Sequence, residues 1–599
     1  MTGRGVTSVR RRFGTSGGQG QRGAGTIRVV RRSFFAVLLC SACVRPVAPV
    51  DEPSVEAAPP VAVETVAGSV VVSIVGTNDV HGHVEALPVL GGYLENLRRV
   101  RADDGGVLLV DAGDMWQGTL ESNLEEGAPV VAAYDALGYD AVAIGNHEFD
   151  YGPVGPAATV GDAGDGADPR GALRARAASA SFPFLMANVV EASGEYPAWD
   201  NVMPTTQVEI AGVQVGLIGL TTIDTPRTTI AANFAGLEVL PLAPVVARHA
   251  AQLRERGAAA VVVVAHAGGR CRELDDPDDL ASCDTDHEVF RLVDALPPGT
   301  VDVIVAGHTH AGIAHRYGGV AIVESFSYGR AFGRVDLRID REAGRVVEAK
   351  VWPPQNLCAQ GRGDSCVPSE YEGGPVVPDE TVARAIAPAL ERAAELRREP
   401  LSVVLEASVQ RGYDRESALG NLVADLMREA SGADVAVTNG GGLRADLPAG
   451  PLTYGALYEA LPFDNRLAHV KMSADALARM LAENLGRDRS ILSVSGLRAV
   501  AQCKGGELVV QLHDAKNRRI RPTRTLHVVT SDFLATGGDG AFGEALDAGA
   551  VTIETERPFR DVLADLLRTR GGTIHPDHHF EASRPRLEFT GPRPVRCAD

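Results

Sequence analysis

The chain reads as an α/β protein of more than one domain, and three observations predict this. From Val70 onward, short Val/Ile-rich runs alternate with Ala/Leu/Arg-rich segments of helical period, the pattern of strands interleaved with helices. At 599 residues the chain is too long for a single core, which suggests two or three domains. Beyond a helical stretch ending near residue 398, the sequence blocks change character.

The first 43 residues hold eight Arg and no Asp or Glu, although the whole chain carries a formal charge of −19. The body is therefore strongly acidic, which argues against binding a nucleic-acid polymer through a basic surface. Arg28, Arg31 and Arg32 precede an apolar run, Ser33 to Val44, too short for a mature membrane anchor but suited to an export signal. Arg31-Arg32-Ser33-Phe34-Phe35 resembles a twin-arginine signal, and Ser41-Ala42-Cys43 the end of a lipobox, with Cys43 as the residue to be lipidated. Residues 1–43 are thus expected to be an export signal and 44–68, rich in Pro, Ala, Val and Glu, a flexible tether. A periplasmic or envelope-anchored protein follows, whose one membrane contact is a lipid at Cys43. The six remaining cysteines suit disulfides: Cys271 with Cys283 and Cys358 with Cys366 are near neighbours in sequence, leaving Cys503 and Cys597.

Residues 69–355 form the first expected domain. Leu87 to Val100 and Ala243 to Arg256 have helical period. Five apolar runs end in residues that ligate metals: Val75 to His83, Val110 to Asp114, Ile144 to Asp150, Val261 to His266 and Val303 to His310. Each reads as a buried strand with polar residues at its carboxyl end, where layered α/β proteins gather their ligands. Asp79 and His81, and again His308 and His310, have the two-residue spacing that puts side chains on one side of a strand. Asp114 has two oxygens with which to bridge cations, and Asn146 offers a neutral carbonyl. A mixed set of Asp, Asn and His suits zinc, manganese or iron better than calcium or magnesium. Any one of these residues alone would more often be a helix cap or a satisfied core histidine; five strand ends together are not explained that way.

Thr77-Asn78-Asp79-Val80-His81-Gly82-His83, Ala112-Gly113-Asp114, Gly145-Asn146-His147-Glu148-Phe149-Asp150, Ala265-His266 and Gly307-His308-Thr309-His310, in that order, resemble the calcineurin-like metallophosphoesterase family in its branch of bacterial 5′-nucleotidases and UDP-sugar hydrolases. The resemblance implies a four-layer α/β/β/α sandwich and two divalent metal ions, zinc, manganese or similar. Asp79, His81, Asp114 and His310 would hold one ion, and Asp114, Asn146, His266 and His308 the other. It also implies that His147 acts on the phosphate while Asp150 orients it.

Residues 356–398 are expected to be a linker ending in a helix that starts at Asp379, with a kink or break at Pro388. Arg362-Gly363-Asp364 within it is read as a chance triplet. Residues 399–590 are the second expected domain, of mixed α/β type. Val435 to Arg444 is a strand running into a glycine loop, without the Gly-Lys-Ser/Thr of a triphosphate-binding loop. The Asn-Gly-Gly-Gly-x-Arg loop, Pro462-Phe463, and Phe533 with the following Gly-Gly-Asp-Gly resemble the 5′-nucleotidase carboxyl-terminal domain. That resemblance implies Phe463 and Phe533 stacking a base between them, Asp539 on the ribose, and Asn439 and Arg444, with Arg415 assisting, on polar substrate groups.

The expectation is an exported phosphoesterase that converts nucleoside monophosphates to nucleosides and phosphate by metal-activated hydroxide attack. Rivals with the same metal centre are a 2′,3′-cyclic nucleotide phosphodiesterase, a nucleotide-sugar or dinucleotide pyrophosphatase and a sulfur-compound hydrolase. A rival of another class is a non-catalytic, nucleotide-binding surface lipoprotein. Oligomeric state is not readable from the chain.

Overall fold

A computed structural model describes residues 68–155, 166–361, 365–554 and 557–597. The export signal with Cys43, most of the tether and the Arg362-Gly363-Asp364 triplet lie outside them. Among the described residues, no helix is long and apolar enough to cross a membrane.

Two large sheets make the core of the first lobe. In the seven-stranded sheet, Ser69–Thr77, Gly105–Asp111, Ala141–Ala143, Phe184–Leu185 and Val202–Met203 run parallel. Ala331–Asp340 and Arg345–Asn356 close one edge antiparallel. The six-stranded sheet is ordered Gly312–Tyr317, Val320–Ser325, Val303–Ala306, Ala260–His266, Val213–Thr221 and Thr205–Ile210. Val72, Ile74, Leu108 and Val110 of one sheet meet Leu217, Val262, Val264 and Val305 of the other in a single apolar cluster. The outer faces are covered by Leu87–Arg101 and Ala128–Leu137 on one side and by Leu242–Glu255 and Glu288–Asp294 on the other. Strands buried on both faces have no polar alternation to keep, which explains their near-continuous valine runs. The sheets converge toward the strands' carboxyl ends: a Cβ on Gly76 would stand 2.3 Å from Val305 Cγ1, so only glycine fits there.

The connecting helix is Glu380–Arg398, capped by Asp379, whose Oδ1 accepts from Thr381 N at 2.6 Å. It continues through Pro388 where a break was considered. Pro388 and Arg384, whose carbonyl loses its N–H partner, both lie on the exposed face, where water replaces that bond. Val382 and Ile386 pack into the first lobe, and Ala393 joins Leu120 and Tyr458 in a small cluster that ties helix and both lobes together. Arg397 also reaches the buried Glu121 at 2.5 Å.

The second lobe centres on a five-stranded sheet ordered Leu492–Ser495, Val435–Asn439, Thr525–Ser531, Leu467–Ser473 and Val551–Ile553. Ala418–Ser431 and Ala474–Leu485 bury their apolar faces in two clusters about it. Cys271–Cys283, Cys358–Cys366 and Cys503–Cys597 are disulfides, the three pairs expected.

Candidate metal centre and interlobe site

The strand-alternation argument for Asp79 and His81 does not hold. The first strand stops at Thr77, and both residues have left-handed backbone, each at φ 50°. Asp114 (56°), His308 (80°) and His310 (55°) do the same. Each such non-glycine residue costs about 1 kcal/mol or more, and strain of this kind gathers where the surroundings dictate a geometry. Here they do so with main-chain bonds: Asp79 N to Gly113 O (2.9 Å), His81 N to Asp114 O (2.9 Å), and Gly82 N to Met115 O (2.8 Å). Asp79 Oδ2 in turn accepts from His308 N at 2.8 Å. The side chains converge because two loops zip together past their strands.

Two groups of ligand atoms result. Asp79, His81 and His310 form one, and Asp114, His266 and His308 the other. In the first, His310 Nε2 is 3.2 Å from Asp79 Oδ1 and 3.0 Å from His81 Nε2. In the second, His266 Nε2 is 3.0 Å from both Asp114 Oδ2 and Asn146 Oδ1, and 3.2 Å from His308 Nδ1. Asp114 Oδ2 also lies 3.9 Å from His81 Nε2, between the groups.

These donors fit a pair of divalent cations. Asp79 Oδ1 is buried with no hydrogen-bond donor, an acceptor that a cation would satisfy. Imidazole nitrogens face each other in both groups, which makes sense for shared ligands rather than for hydrogen-bond partners. His81 Nδ1 donates to Gln117 O (2.7 Å) and His266 Nδ1 to Ala112 O (2.9 Å), turning both Nε2 atoms inward as lone-pair donors. Burial and the Arg444 charge hold His81 well below the usual histidine range. Burial also lowers His310, against the pull of Asp79. Asp114 resists the effect of burial because His266 and His147 stand beside it, and is held well below the carboxylate range. His266, despite its burial, is pushed up to about 10 by Asp114, so a cation entering this group displaces a proton.

His147 lies beside these groups without joining them. Its main-chain N donates to Asp114 Oδ1 (2.8 Å), and its ring Nε2 stands 4.0 Å from Asp114 Oδ2. Nδ1 is 2.5 Å from Asp150 Oδ2, and Thr229 Oγ1 holds the other oxygen of Asp150 at 2.8 Å. Burial opposes the charge on this ring, but Asp150 and Asp114 outweigh it and the pKa rises.

The second lobe reaches into the same space. Pro462 O accepts from Gln117 Nε2 (3.1 Å) and Asn123 Nδ2 (2.9 Å), which brings Phe463 to 5.4 Å from the His147 ring. Arg444 Nη2 is 3.1 Å from His81 Nε2, and its guanidinium lies 5.8 Å from the Phe463 ring centre. Asp539 Oδ2 accepts from Asn439 Nδ2 and Ser490 Oγ, both at 2.8 Å. Phe533 packs over Gly538 in the loop that carries Asp539, and no ring contact joins it to Phe463 among the described residues. Arg415 is exposed and is not drawn in by these bonds.

Sequence reasoning missed the residues that hold the ligands. Glu148, 1% exposed, accepts from Gly145 N (2.7 Å), Asp114 N (2.8 Å) and Met115 N (2.8 Å). Burial and Asp114 push its carboxyl up to about 8 against those donors. Asn78 Nδ2 donates to Asp79 Oδ2 at 2.7 Å, and its Oδ1 accepts from Ser325 N at 2.8 Å. Both sit inside the motif blocks, so an adjacent polar residue beside a ligand was the available signal.

Residues 72–312 match the family model for calcineurin-like phosphoesterase, and residues 394–547 that for the 5′-nucleotidase C-terminal domain. The chain is 29% identical to the endonuclease YhcR of Bacillus subtilis over 77% of its own length, but spans 35% of that protein. It is 27% identical to protein UshA of Yersinia enterocolitica, covering 78% of this chain and 86% of that one. It shares its fold with the 5′-nucleotidase precursor of Thermus thermophilus (TM-score 0.67, 24% identity, 87% of this chain and 100% of the other). With both lobes matched and the donor groups assembled in the first, the chain belongs to the calcineurin-like phosphoesterases bearing a 5′-nucleotidase C-terminal domain and is a metal-dependent phosphoester hydrolase.

Proposed function

We propose that the chain is an exported 5′-nucleotidase that cleaves nucleoside monophosphates to nucleoside and phosphate. The observation that carries this reading is the meeting of the lobes: Arg444 and Phe463 of the second stand against His81 and His147 of the first. A phosphoryl group among the donors of the first lobe then has its ester substituent directed toward Phe463, Asn439 and Asp539. In this reading residues 69–355 carry the cations, 356–398 join the lobes and 399–590 hold the nucleoside, with the leader through Cys43 directing export.

Asp79, His81, Asp114 and His310 would hold one cation, and Asp114, Asn146, His266 and His308 the other. When bound, such a pair supplies Lewis acidity to the phosphoryl group and activates water for in-line attack. Arg444, a planar five-donor cation, pairs with phosphoryl oxygens and neutralises charge that develops on them. His147, kept protonated by Asp150, donates from Nε2 to the phosphoryl or to the leaving ester oxygen. Phe463 and Phe533 offer stacking faces for the base, while Asp539, already oriented by Asn439 and Ser490, accepts from ribose hydroxyls.

Turnover of AMP (to adenosine and phosphate), of 2′,3′-cyclic AMP (to adenosine 2′- or 3′-phosphate) and of UDP-glucose (to UMP and glucose 1-phosphate) by the zinc- or manganese-loaded protein, followed by chromatography of the products, tests this. AMP is expected to be the best of the three by kcat/KM, and His147→Ala to remove most of the activity. Faster turnover of either other substrate would replace the reading.

A further inference from the structure

Tyr413 lies among the loops that frame this site and has no role in the account above. Its carbonyl accepts from Ile491 N at 2.7 Å. A Cβ on Gly440 would stand 2.9 Å from that oxygen and 3.2 Å from the Tyr413 Cα. The main chain of Tyr413 is therefore pinned between Gly440 and Ile491, which follow Asn439 and Ser490, the two residues that hold Asp539. The ring is left out of the core: 59% of the residue is exposed. Surrounding protein raises its hydroxyl above the usual tyrosine range; Asp539 adds to this, and Arg444 and Arg270 oppose it. Those charges belong to the ribose loop, to the guanidinium beside His81 and to the first lobe.

We propose that Tyr413 is a specificity-determining residue whose ring packs against the nucleoside, a third aromatic wall beside Phe463 and Phe533; this rests on the nucleotide reading given above. A clamped main chain with an open ring offers a large amphipathic surface at little conformational cost, since two torsions remain to be fixed. Stacking one ring on a base changes affinity by roughly five- to 150-fold. A ring open to solvent on one side belongs at the low end, about fivefold to tenfold. Substrates without a ring to stack have nothing for it to touch, so its contribution is to choice among phosphoesters.

The test uses the full, metal-loaded chain as wild type, Tyr413→Ala and Tyr413→Phe. The readouts are kcat/KM for AMP and for glycerol 2-phosphate, and adenosine binding by calorimetry. Wild type preferring AMP supports the nucleotide reading. Tyr413→Ala is then expected to lower the AMP to glycerol 2-phosphate ratio about fivefold to tenfold, through KM for AMP, and to weaken adenosine by a similar factor. Tyr413→Phe should stay within twofold of wild type. A Tyr413→Ala ratio within twofold of wild type, or equal losses on both substrates, overturns the proposal and leaves the nucleotide reading standing. Tyr413→Phe losing as much as Tyr413→Ala overturns it too, because the hydroxyl and not the ring would be responsible. A wild type indifferent to the nucleoside brings down the nucleotide reading and this proposal together.

Discussion

Glu148→Gln perturbs the centre without touching a proposed ligand, so it separates positioning from ligation. The two carboxylate oxygens accept three main-chain N–H groups: Oε2 takes Gly145 and Asp114, and Oε1 takes Met115. A glutamine has one oxygen to offer, and its amide points donors at whichever N–H it fails to serve. At least one buried N–H then loses its acceptor, at about 1–3 kcal/mol. The strain falls on the turn at Asp114, whose left-handed backbone depends on these bonds. Removing a partner that orients ligands typically costs 10–100-fold in metal affinity or activity. The assay is metal affinity by competition with a chromophoric chelator, together with kcat/KM for phosphate release and a melting curve to verify folding. A folded Glu148→Gln protein with metal affinity and kcat/KM within twofold of wild type would refute this reasoning.

Three other outcomes are expected. In Asp150→Asn, the carboxylate that raises the His147 pKa against its burial is gone, so imidazolium is less stable. The alkaline limb of the pH–kcat/KM profile should then move to lower pH, and an unmoved limb would dissociate Asp150 from the protonation of His147. Asp425 resists the effect of burial through bonds to His579, Arg586 and Ser495, which depress its pKa. A depressed carboxylate stabilises the fold above its unfolded pKa near 3.9, and that stability is lost as pH falls toward the folded value. Asp425→Asn should therefore cost about 2 kcal/mol at pH 7, and the gap in urea midpoint between it and wild type should shrink below about pH 4; a gap constant down to pH 3 would contradict this. Gln117→Ala with Asn123→Ala removes both donors to Pro462 O. It should raise KM for AMP more than it lowers kcat, as Phe463 loses its fixed approach to His147, and equal effects on the two constants would point to damage at the metal centre.

The five ligand-bearing blocks were legible because each follows an apolar strand, and strand ends meet wherever parallel sheets stack. The backbone that presents the ligands was not. Whether Asp79 and His81 continue a strand or turn left-handed depends on bonds to Gly113 and Asp114, about thirty-five residues away in sequence. No local pattern encodes those bonds, so strand alternation is not what brings Asp79 and His81 together. The interlobe contacts are hidden more deeply, since Gln117 and Pro462 lie 345 residues apart. Glu148 was visible as a residue but not as a positioning one, because its role exists only once Gly145, Asp114 and Met115 have come together. Pro388 shows the converse. A local rule allowed a break in the connecting helix, and packing of Val382, Ile386 and Ala393 on the opposite face keeps it whole.

The central claim is that Asp114 stands between two cation sites built from separate strand ends. Anomalous diffraction from crystals soaked in manganese or zinc tests it most directly. The account predicts two peaks flanking the Asp114 carboxylate, one beside Asp79, His81 and His310 and the other beside Asn146, His266 and His308. A saturated crystal with no peak at Asp114, or with its ions held elsewhere on the chain, would contradict it.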